Sequence, residues 1–547
     1  MSRYVVARYT PKFMGTFDPT QQYDNLCVVD NGSGTSYISK ILVPPGTSLL
    51  DTTYWAFYGS TSGAILDLQD QIDSIKEIAV TPEMFGAVGD GVNDDTAYIQ
   101  SAVNNGALVY LKNSYNVTSQ ITVPQGVKIF GTGNIIVHDY MFVFKVSGNN
   151  TIEGIHFTDD TALENEWAHI YGFEVDDVTV KDCVFDTIGL GYAIQFDHST
   201  NLHVLNNTIK NYSFGGIMFM HTCTHCDVLN NYLYNSRWRG ADHNYPICIS
   251  GYQDHDYGPA EDIRCNYNYI EELSPWWEGI DSHGCNNYEI IGNVIKNCYR
   301  GFVGGYERTG GTPFTRSNCN SLIENNYIQT ALPGDPTLNI GNGILIAGNA
   351  PTITENVIIR NNKVIAIGSS NSFSAGNSAI AFGLGAGDAA NILVENNFIS
   401  ATNMVSIGYG ARGNKNDIIR IIGNFIDKIV AGSGACYGIY MAYMYSHTGV
   451  VIEGNVCNPS IVNDPSAARF MRGPVDPPAN NQLVEYRNNN EHGLQVDSGD
   501  YMTNPKASLP VVTQATGVLG QFIPSTAVGV VGYFCKTAGT WLTISGT

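Results

Sequence analysis

Between residues 150 and 490 the chain returns repeatedly to one short phrase: an apolar residue, one or two spacers, asparagine, then a further apolar residue. It reads Leu205-Asn206-Asn207-Thr208-Ile209, Leu229-Asn230-Asn231-Tyr232-Leu233 and Ile323-Glu324-Asn325-Asn326-Tyr327-Ile328. Further copies lie at 359–364, 394–399 and 421–426, with looser ones at 180–185, 264–270, 290–295 and 451–456. Their closing apolar residues, from Phe185, Ile209 and Leu233 to Ile399, Ile426 and Val456, stand 24 to 37 residues apart. Self-similarity at this period marks stacked supersecondary units, each unable to bury its apolar face alone. A 24-residue unit has room for three short strands and three turns, which predicts parallel sheets whose rungs are about 4.8 Å apart.

Composition agrees with strands and turns. Charged residues make up 14% of the 547, while Gly (58) and Tyr (32) are abundant. The formal net charge of −22 weighs against nucleic acid as a partner, because phosphate binding needs a basic face. No apolar run follows Met1-Ser2-Arg3-Tyr4, and none elsewhere is long enough to span a bilayer. The expectation is a chain made in the cytosol without an export signal or membrane insertion. Twelve cysteines with no small disulfide framework read as reduced, mostly buried thiols.

Each unit carries a further strand, opened by Gly-Ile or a near equivalent: Tyr192-Ala193-Ile194-Gln195-Phe196-Asp197, Gly216-Ile217-Met218-Phe219-Met220, Gly279-Ile280-Asp281-Ser282-His283 and Gly343-Ile344-Leu345-Ile346-Ala347. With the isoleucine inside, alternation puts Gln195, Asp197, Met218, Met220, Cys248, Ser250, Asp281, His283, Leu345 and Ala347 outside. The repeated asparagine belongs at a turn, where it tolerates left-handed backbone and its amide can bond the asparagine of the next rung. These asparagines are structural.

The flanks differ. Residues 1–62 read as a small β module in which Tyr37, Tyr54 and Trp55 either stack on sugars or form the core. In 63–80, Ile65, Leu68, Ile72, Ile75 and Ala79 step by three and four, either the seam of a short helical coiled coil whose isoleucines favour three strands or one amphipathic helix docked on the next domain. In Met84-Phe85-Gly86-Ala87-Val88-Gly89-Asp90-Gly91-Val92-Asn93-Asp94-Asp95-Thr96 a glycine-rich turn brings an Asp pair to a helix start, to cap it. The spacing and terminal Glu of an EF-hand calcium loop are missing. This segment closely resembles the N-terminal motif of the pectate-lyase-like superfamily of right-handed parallel β-helices, and with the asparagine repeats the resemblance covers about residues 81–490. The whole layout resembles bacteriophage tailspike and preneck-appendage proteins, and Val530 to Trp541 resembles the short β segment that closes such proteins. The resemblance implies an all-β chain with a right-handed β-helix over 81–500 and a β segment over 501–547. It also implies a homotrimer, attachment to other virion proteins through the N-terminal region, and a place in the virion after assembly in the host cytoplasm.

Solenoids place function in insertions and on one face. Here the earlier insertions hold reactive types: Trp238, Arg239 and His243; Asp254 and His255; Trp276, Trp277 and Glu278; Tyr306, Glu307 and Arg308. Indole and phenol faces for pyranose stacking, carboxylates and arginines form the mixture expected of a carbohydrate cleft. Asp281 and His283, two apart on one strand, can share a substrate atom, and Asp254 and Glu307 extend outward on the rungs before and after. Carboxylates one and two rungs apart bracket retaining and inverting glycosidase geometry. Asp197, three rungs from His283, falls outside this constellation. The expected activity is depolymerisation of a bacterial surface polysaccharide, capsule or wall teichoic acid, by hydrolysis through Asp254, Glu278, Asp281 and Glu307 with His283. The alternatives are a uronate lyase using His283 or Tyr306 with Arg300 or Arg308, and a fibre that only grips sugar. No metal or cofactor is assigned; His221-Thr222-Cys223-Thr224-His225-Cys226 lacks a second matching pair for zinc and reads as a turn with stacked cysteines.

Overall fold

The structure is a computed structural model that describes residues 12–24, 26–33, 35–60, 79–139, 141–160, 167–186, 189–236, 244–249, 259–272, 278–305, 318–331, 341–348, 353–368, 376–384, 388–410, 418–430, 436–442, 449–457, 468–472, 484–489, 495–497, 502–503, 522–524, 530–537 and 540–545. The coiled-coil seam expected from Ile65 to Ile75 therefore lies outside the described residues. The chain divides into two compact units, Met1–Val80 and Thr81–Thr547.

In the first unit, strands Lys12–Thr16, Cys27–Asp30, Thr35–Ser39 and Trp55–Ser60 pair in chain order, the first pair parallel and the others antiparallel. Tyr23, Cys27, Val29, Val43 and Trp55 make its core, with Tyr37 and Tyr54 packed against them. The Trp55 indole meets Phe17 and Tyr23 edge-on at 5.7 and 5.5 Å, so its faces serve the core and not a sugar.

The second unit opens with the aspartate-rich turn. Buried Asp95 accepts the amides of Val88 (2.7 Å) and Gly89 (3.1 Å), and Asp90 accepts those of Val92 and Asn93 at 2.9 Å. Asp94 accepts the Thr96 amide at 3.0 Å and the Thr118 hydroxyl at 2.8 Å. These carboxylates hold the turn and the start of helix Thr96–Asn105. The helix buries Ile99, Ala102 and Val103 on the first strands of the coil, Leu108–Leu111, Ser114–Val117 and Ile121–Val123. An open end of stacked strands invites pairing with another chain, and the helix covers it.

From there the chain winds through three parallel sheets. One rung shows the order: Thr200–Leu205 in sheet I, Thr208–Lys210 in sheet II, Gly215–Met220 in sheet III, then Thr224–Leu229 back in sheet I. Sheet I has 16 strands and ends at Met502–Thr503; sheets II and III have 14 each. Their inward rows are Val180-Val204-Val228, Phe185-Ile209-Leu233 and Ile194-Ile217-Ile247-Ile280, all fully buried. Burying one such side chain is worth about 1.5–3 kcal/mol, so the column of apolar residues drives the coil. Strands Phe522–Pro524, Val530–Thr537 and Thr540–Ser545 form a separate antiparallel sheet. Among the described residues no helix is long and apolar enough to cross a membrane.

The two asparagines of the repeat divide the turn between them. The first takes left-handed backbone, as at Asn206 (φ 56°), Asn230 (57°), Asn325 (57°) and Asn361 (56°), and Gly292, Gly423 and Gly454 replace it on other rungs. The second points inward and is buried. Asn326, for example, donates from Nδ2 to Ile290 O (2.7 Å) and to Asn362 Oδ1 (2.9 Å), while its Oδ1 accepts the Asn293 amide groups at 2.9 and 3.0 Å. The same pattern runs through Asn207, Asn231, Asn268, Asn293, Asn326, Asn362, Asn397, Asn424, Asn455 and Asn489. At the first rung Cys183 N bonds Asn207 Oδ1 at 3.0 Å.

Cys27, Cys183, Cys223, Cys226, Cys265, Cys285 and Cys298 are buried thiols. Cys223 and Cys226 lie at 0% and 1% exposure with their thiols on main-chain carbonyls, whereas His225 of the same motif is on the surface.

Asn326→Ala strips two donors and two acceptor roles from a dry turn, and should lower the unfolding free energy by about 2–4 kcal/mol in denaturant titration. Asn325→Gly, which suits the same left-handed position as its glycine counterparts, should stay within about 0.5 kcal/mol of the parent.

Candidate active site

Strand Glu278–Ser282 of sheet III departs from simple alternation, and the departure assembles the site. Counting back from inward Ile280 would place Glu278 inside. However, a Cβ on Gly279 would stand 2.5 Å from Ile295 Cγ2 and 3.2 Å from Cys298 Sγ, both in the interior, so position 279 faces inward as well. Two successive inward positions turn Glu278 out, to the same side as Asp281 and His283. Glycine is required here because any side chain would overlap the core.

Register places Glu278 beside Arg300, and Asp281 between Cys248 and Val303. The Arg300 guanidinium donates from Nη1 to Glu278 Oε1 at 2.6 Å and lies 5.3 Å over the Tyr299 ring. His283 Nε2 is 2.6 Å from Asp281 Oδ2, and its ring meets Tyr245 edge-on at 6.2 Å. The Cys248 thiol stands 4.0 Å from the same carboxylate oxygen. Burial is the largest influence on Glu278 and the Asp281 charge the next; together they overcome Arg300 and His283 and push its carboxyl up to about 8. A buried carboxyl pushed toward its neutral form is the kind of group from which a general-acid role is assigned.

The expectation of an open outward face needs correction. The outward row Gln195, Met218, Cys248, Asp281 is in register, yet its members are buried, Asp281 to 2% exposure. Part of the reason is a second apolar cluster on the outer face, made by Ala168, Tyr192, Met218, Tyr245 and Cys248 with Phe142, Tyr171, Phe214 and Met220. Farther along, Leu345 and Ala347 are half-buried. Within the site, His283 and Arg300 reach the surface, with 28% and 21% of their side chains exposed.

Of the residues named from sequence, the structure brings together Glu278, Asp281, His283 and Arg300. Trp238, Arg239, His243, Asp254, His255, Trp276, Trp277, Tyr306, Glu307 and Arg308 lie outside the described residues. Tyr245 was missed because it precedes the inward pair Pro246-Ile247, where alternation counts wrongly. Glu272 was missed too. It is buried, accepts the Tyr212 hydroxyl on one oxygen, and takes the Ser236 amide (2.7 Å) and hydroxyl (2.5 Å) on the other. It ties three rungs together, and nothing in its sequence surroundings sets it apart from a surface glutamate.

A second concavity of about 410 Å³ lies on sheet I, lined by Asn201, His203, His225, Asp227, Asp262, Arg264, Asn287 and Glu289. Its charges answer one another: Asp227 takes a two-pronged bond from Arg264 (2.6 and 2.8 Å) and faces His203 Nδ1 at 3.0 Å, and His225 meets Asp262 at 3.2 Å. The adjoining pair of buried acids, Glu278 and Asp281, is on sheet III.

A family profile described as a right handed beta helix region matches residues 92–233. The second unit folds as a right-handed β-helix. The chain is distantly homologous to the pre-neck appendage protein of Bacillus phage B103, 27% identical over 260 residues, which cover 44% of this chain and 28% of that protein. The match thus spans little more than a quarter of the relative's length. Among solved structures, the coil is similar to the catalytic unit of an α-1,3-glucanase from Streptomyces thermodiastaticus (TM-score 0.48, 12% identity, 77% of this chain and 70% of that one). It is also similar to the surface adhesin PfbA of Streptococcus pneumoniae (0.42, 14%, 74% and 100%) and to the Dettilon tailspike protein (0.40, 17%, 72% and 68%). These are likenesses of backbone shape, and no chemistry is transferred from them.

Burial raises the Glu272 carboxyl above its usual range. The folded chain therefore keeps a proton that the unfolded chain gives up near pH 4.3, so this group favours folding at lower pH and its contribution is lost as pH rises through the folded value. Glu272→Gln should flatten that decline in unfolding free energy, measured by denaturant titration across a pH series.

Proposed function

We propose that this β-helix protein is an appendage or tailspike of a phage virion, and that it binds a bacterial surface polysaccharide and hydrolyses it. The observation that carries the reading is the pair of buried acids on one face of sheet III: Glu278, pushed toward its neutral form, and Asp281, bonded to His283 at 2.6 Å. Distant homology to a phage pre-neck appendage protein supports the virion location and assembly with other virion proteins, and in this reading the N-terminal unit makes that attachment.

In this reading Glu278 is the general acid. It gives its proton to the glycosidic oxygen as the bond from that oxygen to the anomeric carbon breaks. Asp281, oriented by His283, supports the positive charge at the anomeric carbon, either taking a proton from the incoming water or bonding to the carbon before water releases it. One water is consumed and two chain ends result. Arg300 holds Glu278 in position and keeps a positive face toward the acidic groups of a surface glycan. Trp238, Trp276, Trp277 and Tyr306 supply sugar-stacking faces, Arg239, His243, His255 and Arg308 polar contacts, and Asp254 and Glu307 further carboxylates. The assembly is a homotrimer.

Digestion of purified host polysaccharide should release reducing ends without the ultraviolet absorbance of an unsaturated uronate; that absorbance would establish elimination instead. Glu278→Gln and Asp281→Asn should each lower kcat by about 10²–10⁴-fold while leaving glycan binding intact. Wild-type turnover in both variants would refute the assignment, and binding without any turnover by the parent would leave a receptor-binding fibre. Because the acid acts only when protonated, the rate should fall as pH rises through about 8.

A further inference from the structure

We propose that Asp197, His198 and His221 bind a divalent transition-metal ion of the zinc type across two successive rungs. Asp197 closes strand Tyr192–Asp197, and His198 follows it with left-handed backbone (φ 48°). On the next rung strand Gly215–Met220 runs in register with it, Asp197 opposite Met220, so His221 (φ 52°) repeats the place of His198 in the same turn. The two imidazoles stack with centroids 4.6 Å apart and planes at 25°. Both turn a nitrogen to one carboxylate oxygen: His221 Nδ1 is 2.5 Å from Asp197 Oδ1 and His198 Nε2 is 3.7 Å from it.

One ligand atom from each residue lies within 4.8 Å of the other two. In a tetrahedral zinc site with metal–ligand bonds near 2.0–2.2 Å, neighbouring ligand atoms stand roughly 3.4 Å apart. The two separations here fall on either side of that value, so side-chain movements of about 1 Å complete the geometry. Two imidazoles and a carboxylate suit zinc and its transition-metal neighbours and not calcium, which takes oxygen ligands. His198 is further oriented by the Phe173 ring, edge-on at 5.6 Å, and 27% of the His221 side chain is exposed, which gives water access to a further coordination position.

The same arrangement explains the histidine and cysteine run that suggested zinc at first reading. Its thiols are buried and spent on main-chain carbonyls, Cys223 on Met220 O at 3.5 Å and Cys226 on Thr224 O at 3.2 Å. His221 instead faces the preceding rung. The ligands are therefore 23 residues apart and belong to no local motif.

The test uses the full chain, stripped with a chelator, then titrated with zinc chloride by calorimetry and assayed for retained metal after desalting. One equivalent is expected, with higher thermal stability when it is bound. Asp197→Asn, His198→Ala and His221→Ala should each weaken binding at least about tenfold. Asp197→Asn preserves size, and unchanged melting of each variant without metal would separate loss of a ligand from loss of fold. His283→Ala and Cys223→Ser should keep the equivalent. Failure of the parent to take up zinc, undiminished binding in His198→Ala and His221→Ala, or loss in His283→Ala alone would overturn the proposal.

Discussion

The buried asparagine ladder is the constraint on which the rest of this molecule depends. Each turn between sheets I and II is too tight to satisfy its backbone by itself and too dry to use water. An inward amide solves both problems, because it offers two donors and an acceptor in a plane that matches the rung spacing. The apolar columns supply most of the driving force, but apolar contact is indifferent to register. The ladder is not: sliding one rung by a single residue would carry Asn326 out of its place and leave carbonyls such as Ile290 O without that donor.

This explains why so much of the fold could be read from the chain. The phrase around Asn325-Asn326 recurs because its chemistry must recur, and the isoleucines before and after it mark the inside by alternation. Local rules reached less far where the backbone breaks its own period. At Gly279-Ile280, and at Pro246-Ile247 one rung before, two neighbours face inward, so Glu278 and Tyr245 reach the outer face against the count from Ile280 and Ile247. Burial of Asp281 was not legible either. It depends on Tyr192, Met218, Tyr245 and Cys248 gathering on the outside of sheet III, a tertiary contact made of residues from different rungs. The pairing of His221 with Asp197 has the same origin, since a stacked rung brings together residues that the chain keeps far apart.

A carboxylate on such a scaffold acquires unusual properties cheaply. Gly279 lets the strand press against the core, Glu278 is swung into a desolvated corner, and Asp281 is fixed three residues on, so their repulsion is built into the backbone. Arg300, one rung away, opposes it only in part. Glu272 makes the contrast clear: it is just as buried, but Tyr212 and Ser236 answer both its oxygens, and it serves the packing of three rungs instead of facing a substrate.

The ladder also governs how a molecule of this kind can change in length. From Asn207 to Asn455 every rung both receives from one neighbour and gives to the other, so a partial insertion inside the strands interrupts the series, whereas a whole turn added or removed lets it close again. Length is therefore quantised in steps of about 4.8 Å, while the segments that join the sheets are free to vary in size and chemistry. Reach and recognition are separate variables, one counted in rungs and the other written in loops.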